Sequence, residues 1–312
     1  MTPRVGFIGL GNLGEPMAAQ VAKAGFDLTV FDVRPDPIAR LVAIGAKAAD
    51  SIASLAMHCD VILVAVVDDK QVSDVLLGGS NAFGVLKIAK PGSTVVLHST
   101  VHPDTCRALS ARAAMHQIDL LDAPVSGGPH GAQTGSLSIM VGGPETALDR
   151  CRAVLLAMGD HVTHLGDSGA GQIAKLANNV ALAINMRAVH EALALAETNG
   201  VSPETMRELL TWGAANSWVA ENWSAIGNAA AHYQAGGAQG VANLTFKDLS
   251  LALSIAHDSL IALPATAVTA QVLAEPYRSA ENFVTTSPGS PADVAADDTA
   301  SPASTNSKDG HR

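Results

Sequence analysis

Six residues near the start of the chain limit its fold more than any other feature: Gly9-Leu10-Gly11-Asn12-Leu13-Gly14, directly after the apolar run Val5-Gly6-Phe7-Ile8. Three glycines at this spacing, between a β-rich run and an Ala-rich stretch, suit a strand that turns sharply into a helix. One glycine makes the turn, one lets the backbone come close to a bound diphosphate, and one lets the helix pack against the strand. The helix N-terminus then faces the phosphate charge. Such a pattern is weak when bare. Here an acid, Asp32, closes a second β-rich run 18 residues beyond Gly14, where a carboxylate can accept hydrogen bonds from ribose hydroxyls.

The rest of the first half keeps the same rhythm. Apolar runs rich in Val, Ile and Leu cover 5–8, 28–31, 61–67, 94–97 and 118–121, with Ala-rich segments at 14–24, 37–44, 70–77 and 103–114. Continuous apolar runs suit strands buried on both faces, and strand–helix alternation means βαβ units. A hairpin-like piece at 137–141 runs into Gly142-Gly143-Pro144, followed by a helix over 145–158 and a strand near 161–165. These residues read as an α/β fold, an N-terminal Rossmann-type, doubly wound, mainly parallel sheet over 1–166.

From Gly169 the texture changes. Residues 172–199 contain neither Pro nor Gly and read as one helix of about eight turns, closed by Gly200. Ser202-Pro203 restarts a helix with a capping hydroxyl and a proline at its first position. Further helices are expected over 216–226, 245–258 and 264–275. The second domain, 167–277, is thus expected to be all-helical, serving substrate binding and oligomerisation. Residues 278–312 are dominated by Ser, Thr, Pro, Ala and Asp and read as a disordered tail.

Composition excludes several classes. Acidic residues outnumber basic ones 29 to 19, and no Lys/Arg cluster exists to line a nucleic-acid groove or meet an anionic membrane. The longest clean apolar run, 61–67, is far too short to span a bilayer, and the N-terminus carries no leader pattern. Cys59, Cys106 and Cys151 are widely spaced, as reduced thiols are. A soluble cytoplasmic protein is expected. No metal is expected either: the closest histidines, His161 and His164, are three apart on an expected strand and so face opposite ways.

The cofactor expected from the loop is a nicotinamide dinucleotide. Asp32 would repel the extra phosphate of NADP, so NAD is preferred; Arg34, two residues on, keeps NADP possible. Two more loops lie at strand ends where a dinucleotide passes, Val66-Val67-Asp68 and His98-Ser99-Thr100. Ser99-Thr100 equally suits a cap for the helix that follows. After the fifth run comes Asp122-Ala123-Pro124-Val125-Ser126-Gly127-Gly128. Its hydroxyl and freely oriented backbone N–H groups suit a small carboxylate, or simply a turn. On the long helix, Lys175 and Asn179 are four apart and share a face. Lys175 is either a lysine snorkelling to solvent or a group kept for its proton chemistry. The consecutive Asn178-Asn179, poor helix formers, speak for a site.

With these residues in view, the chain resembles the β-hydroxyacid dehydrogenase family from about Val5 to Ala274. The resemblance rests on Gly6 to Met17, on Asp122 to Gly128, on Gly169-Ala170-Gly171-Gln172-Ile173-Ala174-Lys175-Leu176-Ala177-Asn178-Asn179, and on Lys247-Asp248-Leu249. It implies Lys175 as general acid/base, helped by Asn179, and Ser126 with Gly127 and Gly128 as the carboxylate site. It implies Thr100 and Lys247 near the nicotinamide, with Thr100 also close to substrate, and Val66 and Val67 along the cofactor. The chain departs from the family pattern at Val66-Val67, usually Leu-Pro, and at Gly240, usually aromatic.

The implied reaction is hydride transfer between NAD(P) and a short β-hydroxy acid or its semialdehyde. Acting as a base requires Lys175 to be partly neutral, which burial and the positive charge of an oxidised nicotinamide both favour. Without an Arg or Lys pair nearby, the anion site suits a short hydroxy acid over a sugar phosphate. Reductases acting on glyoxylate, succinic semialdehyde or tartronate semialdehyde are alternatives within the family. A non-catalytic dinucleotide-binding protein is the alternative outside it, and would have no need of Lys175, Asn179 or Ser126. The long Ala-rich helix suggests burial against a second subunit, hence a homo-oligomer, a dimer or tetramer.

Overall fold

The computed structural model describes residues 2–79, 83–231, 233 and 237–286. In chain order the elements of the first half are β1 (Arg4–Ile8), α1 (Gly14–Lys23), β2 (Asp27–Phe31), α2 (Pro35–Val42), β3 (Lys47–Ala48), α3 (Ile52–His58) and β4 (Val61–Val64). Then come α4 (Asp69–Leu77), α5 (Val85–Ile88), β5 (Thr94–Leu97), α6 (Pro103–Ala114), β6 (Asp119–Asp122) and β7 (Val125–Ser126). These are followed by α7 (Gly128–Thr134), β8 (Ser138–Val141), α8 (Glu145–Leu156) and β9 (His161–His164). The helices of the second half are α9 (Ala170–Thr198), α10 (Pro203–Trp212), α11 (Trp218–Glu221), α12 (Trp223–Ala231), α13 (Gly237–Asp258), α14 (Pro264–Gln271) and α15 (Ala274–Thr286).

Strands β1 to β6 form a parallel sheet in the order β3-β2-β1-β4-β5-β6. This is the doubly wound arrangement expected from the sequence, with its switch point between β1 and β4. Strands β4 and β5 are buried along their whole length, as continuous Val/Ile/Leu runs require when helices cover both faces. One face packs Phe7, Val30, Leu63 and Val96 with α1 and α8; the other packs Ile62, Val64, Val95 and Leu97 with α3 to α6.

A second sheet, β7-β8-β9, follows, in which β8 pairs antiparallel with β7 and parallel with β9. The hairpin-like piece expected at 137–141 is therefore no hairpin into Gly142-Gly143. Strand β8 pairs backwards with β7 across α7, a helix too short to leave a periodic signal.

By compactness the chain divides into two units. The first comprises 1–180 with 248–262, and the second 181–247 with 263–312. By this measure the first three turns of α9 go with the first unit, to whose strands they are fastened, as described below. In the second unit, α15 packs along α12: Trp223 is fully buried, and a Cβ on Gly227 would lie 2.0 Å from the Ala280 carbonyl oxygen, so only glycine allows that approach. The tail expected from 278 is corrected here, because α15 continues to Thr286. Tyr277 and Ala280 are buried on it at helical spacing, and the Tyr277 hydroxyl meets Thr245 Oγ1 at 2.8 Å. The remainder of that expected tail lies outside the described residues. Among the described residues no helix is long and apolar enough to cross a membrane.

Candidate active site

The glycine loop leaves β1 and enters α1. Gly9 has φ +92°, and a Cβ there would lie 2.4 Å from the Ala65 carbonyl oxygen. A Cβ on Gly14 would lie 2.0 Å from the Gly9 carbonyl oxygen, so the helix could not sit this close to the strand. At Gly11 a Cβ would meet nothing within 4 Å, so the space beside it is open. Leu13 at the N-cap supplies no side-chain hydrogen bond, and the end of α1 is left to its own N–H groups and dipole. A loop of this shape fits a diphosphate. Leu10 enters the site by its backbone alone, because its side chain is core, whereas Asn12 is exposed.

Asp32 follows β2 and is nearly buried. Its Oδ2 accepts from Leu10 N at 2.6 Å, and its Oδ1 accepts from Arg34 N at 2.8 Å and Arg34 Nε at 3.1 Å. Arg34 Nη2 also donates to the Leu10 carbonyl at 2.7 Å. Burial pushes the Asp32 carboxyl up, but the Arg34 side chain and the two backbone donors outweigh it, leaving it below the usual carboxylate range. The acid therefore shapes the loop, through its bonds to Leu10 and Arg34.

The loops after β4 and β5 are tied together. Val66 N donates to Ser99 Oγ at 2.9 Å. Asp69 Oδ1 accepts from His102 N at 2.9 Å and Thr105 Oγ1 at 2.6 Å. Val66 and Thr100 are half-buried and Val67 is exposed.

Helix α9 begins on β6. Asp122, fully buried at the strand's end, accepts from Gly169 N at 2.7 Å and Gln172 N at 3.0 Å. Burial pushes its carboxyl above the usual range, against these backbone donors. Gly171 makes the approach possible: a Cβ there would lie 2.3 Å from the Met140 carbonyl oxygen and 2.8 Å from that of Asp122. One turn on, α9 carries Lys175, half-buried, and then Asn178 and Asn179 on the same face. Asn178 Nδ2 donates to Ser126 Oγ at 3.4 Å and to Asn179 Oδ1 at 3.2 Å, and Asn179 Nδ2 donates to Asp248 Oδ2 at 2.6 Å. Ser126 ends β7, and Gly127 and Gly128 take φ +126° and +62° as the chain turns into α7. Asn178 thus joins the expected Ser126 and Asn179, on the helix face that also carries Lys175. Lys247 is half-buried on α13 and falls in the second unit.

Two family models cover almost all of this frame. One, described as the NAD binding domain of 6-phosphogluconate dehydrogenase, matches residues 4–166; the other, described as NAD-binding of NADP-dependent 3-hydroxyisobutyrate dehydrogenase, matches 169–282. The chain is 36% identical to 2-(hydroxymethyl)glutarate dehydrogenase of Eubacterium barkeri, over 86% of this chain and 87% of that one. It is 38% identical to 3-hydroxyisobutyrate dehydrogenase of Pseudomonas aeruginosa, over 81% and 85% respectively. The chain belongs to the β-hydroxyacid dehydrogenase family. The solved structure of 3-hydroxyisobutyrate dehydrogenase from Salmonella typhimurium superposes with a TM-score of 0.76 at 31% identity, covering 89% of this chain and 94% of that one.

As a β-hydroxyacid dehydrogenase, the chain is an NAD(P)-dependent enzyme acting on CH–OH groups. Three buried polar residues of the frame were given no role in the sequence reading: Asp122, Gln172 and Asp248. All three lay inside quoted motifs. Their signal was polarity at positions that the structure buries, which periodicity alone does not expose.

Proposed function

We propose that the enzyme interconverts a short β-hydroxy acid and its semialdehyde, with NAD preferred and Lys175 as general acid/base. The observation that carries this reading is the run Ser126–Asn178–Asn179–Asp248, hydrogen-bonded in sequence along the α9 face that holds Lys175. A purely structural lysine would need no such neighbours. Gly9, Leu10, Gly11, Asn12, Leu13 and Gly14 would hold the diphosphate and Asp32 the adenosine ribose, with Val66, Val67 and Thr100 along the remainder. The bound nicotinamide supplies the acceptor or donor for the hydride.

The chain's own residues do the rest. Ser126 and the outward backbone at Gly127 and Gly128 hold the substrate carboxylate, and Asn179 with Thr100 orients the hydroxyl. Lys175 Nζ takes the hydroxyl proton in oxidation and returns it in reduction. The preference for NAD is supported by Asp32. A carboxylate offers about four acceptor sites, and the protein fills one on Oδ2, which leaves that oxygen room for a ribose hydroxyl. The same buried negative charge opposes a further phosphate, while the Arg34 guanidinium is engaged with Asp32 and Leu10.

The reading includes a homo-oligomer, dimer or tetramer, supported by large apolar side chains on the surface of the second unit: Leu195, Trp212 at 75% exposure and Trp218 at 59%. It also places the enzyme in the cytoplasm, in keeping with three buried, unbridged cysteines. The test follows reduced nicotinamide by absorbance, with NAD and NADP in both directions. The panel is 3-hydroxyisobutyrate, 3-hydroxypropionate, glyoxylate, and tartronate and succinic semialdehydes. Turnover that vanishes in Lys175→Ala while NADH still binds supports the reading. Equal loss of binding and turnover makes the lysine structural.

A further inference from the structure

We propose that Gln172 is a positioning residue that locks the Thr100 loop to the helix carrying Lys175. It rests on the reading above, in which Thr100 lies by the nicotinamide and Lys175 handles the proton.

Gln172 is fully buried near the start of α9. Its Oε1 accepts from Val101 N at 3.1 Å, and its Nε2 donates to the Ser99 carbonyl at 2.9 Å. The two bonds fall on the residues either side of Thr100. One planar amide thus spans the peptide segment that contains Thr100 and fixes it at both ends. The backbone of the same residue is fixed too, since Gln172 N donates to Asp122 Oδ2. Ser99 passes the restraint on, because its Oγ accepts from Val66 N in the neighbouring loop. Lys175 lies three residues further on, about 4.5 Å along the helix axis, too short a length of α9 for its Cα to move independently. The loops after β4 and β5, the end of β6 and the first turn of α9 are therefore one hydrogen-bonded body, and Gln172 is where they meet.

The choice of glutamine follows from the chemistry. The site needs an acceptor for a backbone N–H and a donor for a backbone carbonyl, about one amide width apart, at a fully buried position. A carboxylate supplies no donor, and an ammonium no acceptor. An apolar side chain of the same length would leave Val101 N–H and Ser99 C=O buried and unpaired. Gln172 meets the Asp122 carboxylate through its backbone N–H and the Cys106 thiol of α6 through its side chain.

The test compares wild type with Gln172→Met, which has similar length and neither bond, and with Gln172→Glu. Amide hydrogen exchange on the ligand-free protein reads the tether directly. In Gln172→Met the peptide containing Ser99 to Val101 should exchange at least tenfold faster, with β1 and β4 unchanged. With the dinucleotide and panel substrate that give turnover, kcat should fall about 50-fold while the NADH Kd changes less than threefold. Gln172→Glu adds a pH readout. Its protonated carboxyl can donate to the Ser99 carbonyl and accept from Val101 N, as glutamine does; its ionised form cannot. Its kcat, normalised to Gln172→Met at the same pH to remove the titrations of other groups, should rise as pH falls. That pH trend decides the matter if Gln172→Met does not fold. Unchanged local exchange with unchanged kcat overturns the proposal, as does faster exchange spread over the whole sheet with activity tracking the folded fraction. Wild-type protein that binds NADH but turns over nothing defeats the functional reading instead, and leaves the exchange result to judge the tether.

Discussion

Asn179 Nδ2 donates to Asp248 Oδ2 at 2.6 Å, joining α9 to α13 through two buried side chains 69 residues apart in sequence. The carboxylate settles which way the amide points. Only the nitrogen of Asn179 can face an acceptor, so its oxygen must face the other way, where it accepts from Asn178 Nδ2. Asp248 thereby orients the amide assigned to the substrate hydroxyl.

Removing that carboxylate should disturb chemistry more than folding. Asp248→Ala frees Asn179 to flip and is expected to lower kcat by about 100-fold, the scale of a misplacement near 1 Å, with NADH affinity nearly unchanged. Asp248→Asn keeps an acceptor oxygen and should lose only about tenfold. Steady-state kinetics with a parallel NADH titration check this. Equal losses in the two variants would mean that the charge, not the orientation, matters.

Cofactor choice should turn on Asp32. Asp32→Asn keeps an oxygen for Leu10 N, so the loop should hold its shape, but the charge opposing a ribose phosphate is gone. The ratio of kcat/KM for NAD over NADP should fall by about 10- to 100-fold, each factor of ten being about 1.4 kcal/mol. The fall should come mainly from improved use of NADP, with Arg34 released from its ion pair.

Two glycines should separate ligand space from packing. A Cβ on Gly11 meets nothing, whereas on Gly171 it lies 2.3 Å from the Met140 carbonyl oxygen. Gly11→Ala should leave stability within about 0.5 kcal/mol but raise the NADH Kd at least about tenfold, because the methyl group fills the open space. Gly171→Ala should cost about 3 kcal/mol of stability, as overpacking does. Urea unfolding and NADH titration on both variants distinguish the cases. Equal destabilisation would remove the argument for a ligand at Gly11.

These contrasts also show what was legible in the chain. The glycine loop, β1 and Asp32 could be read because their spacing is local and each residue type has a specific backbone or charge role there. Lys175 and Asn179 could be read as a pair because helical periodicity places them together. Gln172 could not: its partners Ser99 and Val101 are more than 70 residues away, and a glutamine in an Ala-rich helix looks like any solvent-facing position. The two-residue edge strand β3 and the short α5 and α7 give too few residues for a period. Helix α15 was hidden by its polar composition, since only Tyr277, Ala280 and their neighbours one turn on carry the apolar stripe.

His98 should make stability depend on pH. It is buried, stacked on Phe7 of β1, with Nδ1 on the Ala123 carbonyl. That bond is short, 2.8 Å, and requires the proton on Nδ1. Burial pushes the ring down to about 4, against this bond. An unfolded histidine titrates near 6.5, so between about pH 6.5 and 4 the unfolded chain binds a proton that the folded one does not, and stability falls as pH drops. The loss should approach about 3 kcal/mol across that window, at about 1.4 kcal/mol per pH unit. His190, lowered chiefly by burial, acts with the same sign, and Asp122, raised by burial, acts against it. Asp32 and Asp60, both lowered, lose their contributions mainly below pH 4. Comparing His98→Asn with wild type at each pH cancels these other groups, since asparagine can still donate to Ala123. Urea midpoints should therefore drop from pH 7 to pH 5 in wild type and by clearly less in His98→Asn. Parallel curves for the two proteins would place the proton elsewhere.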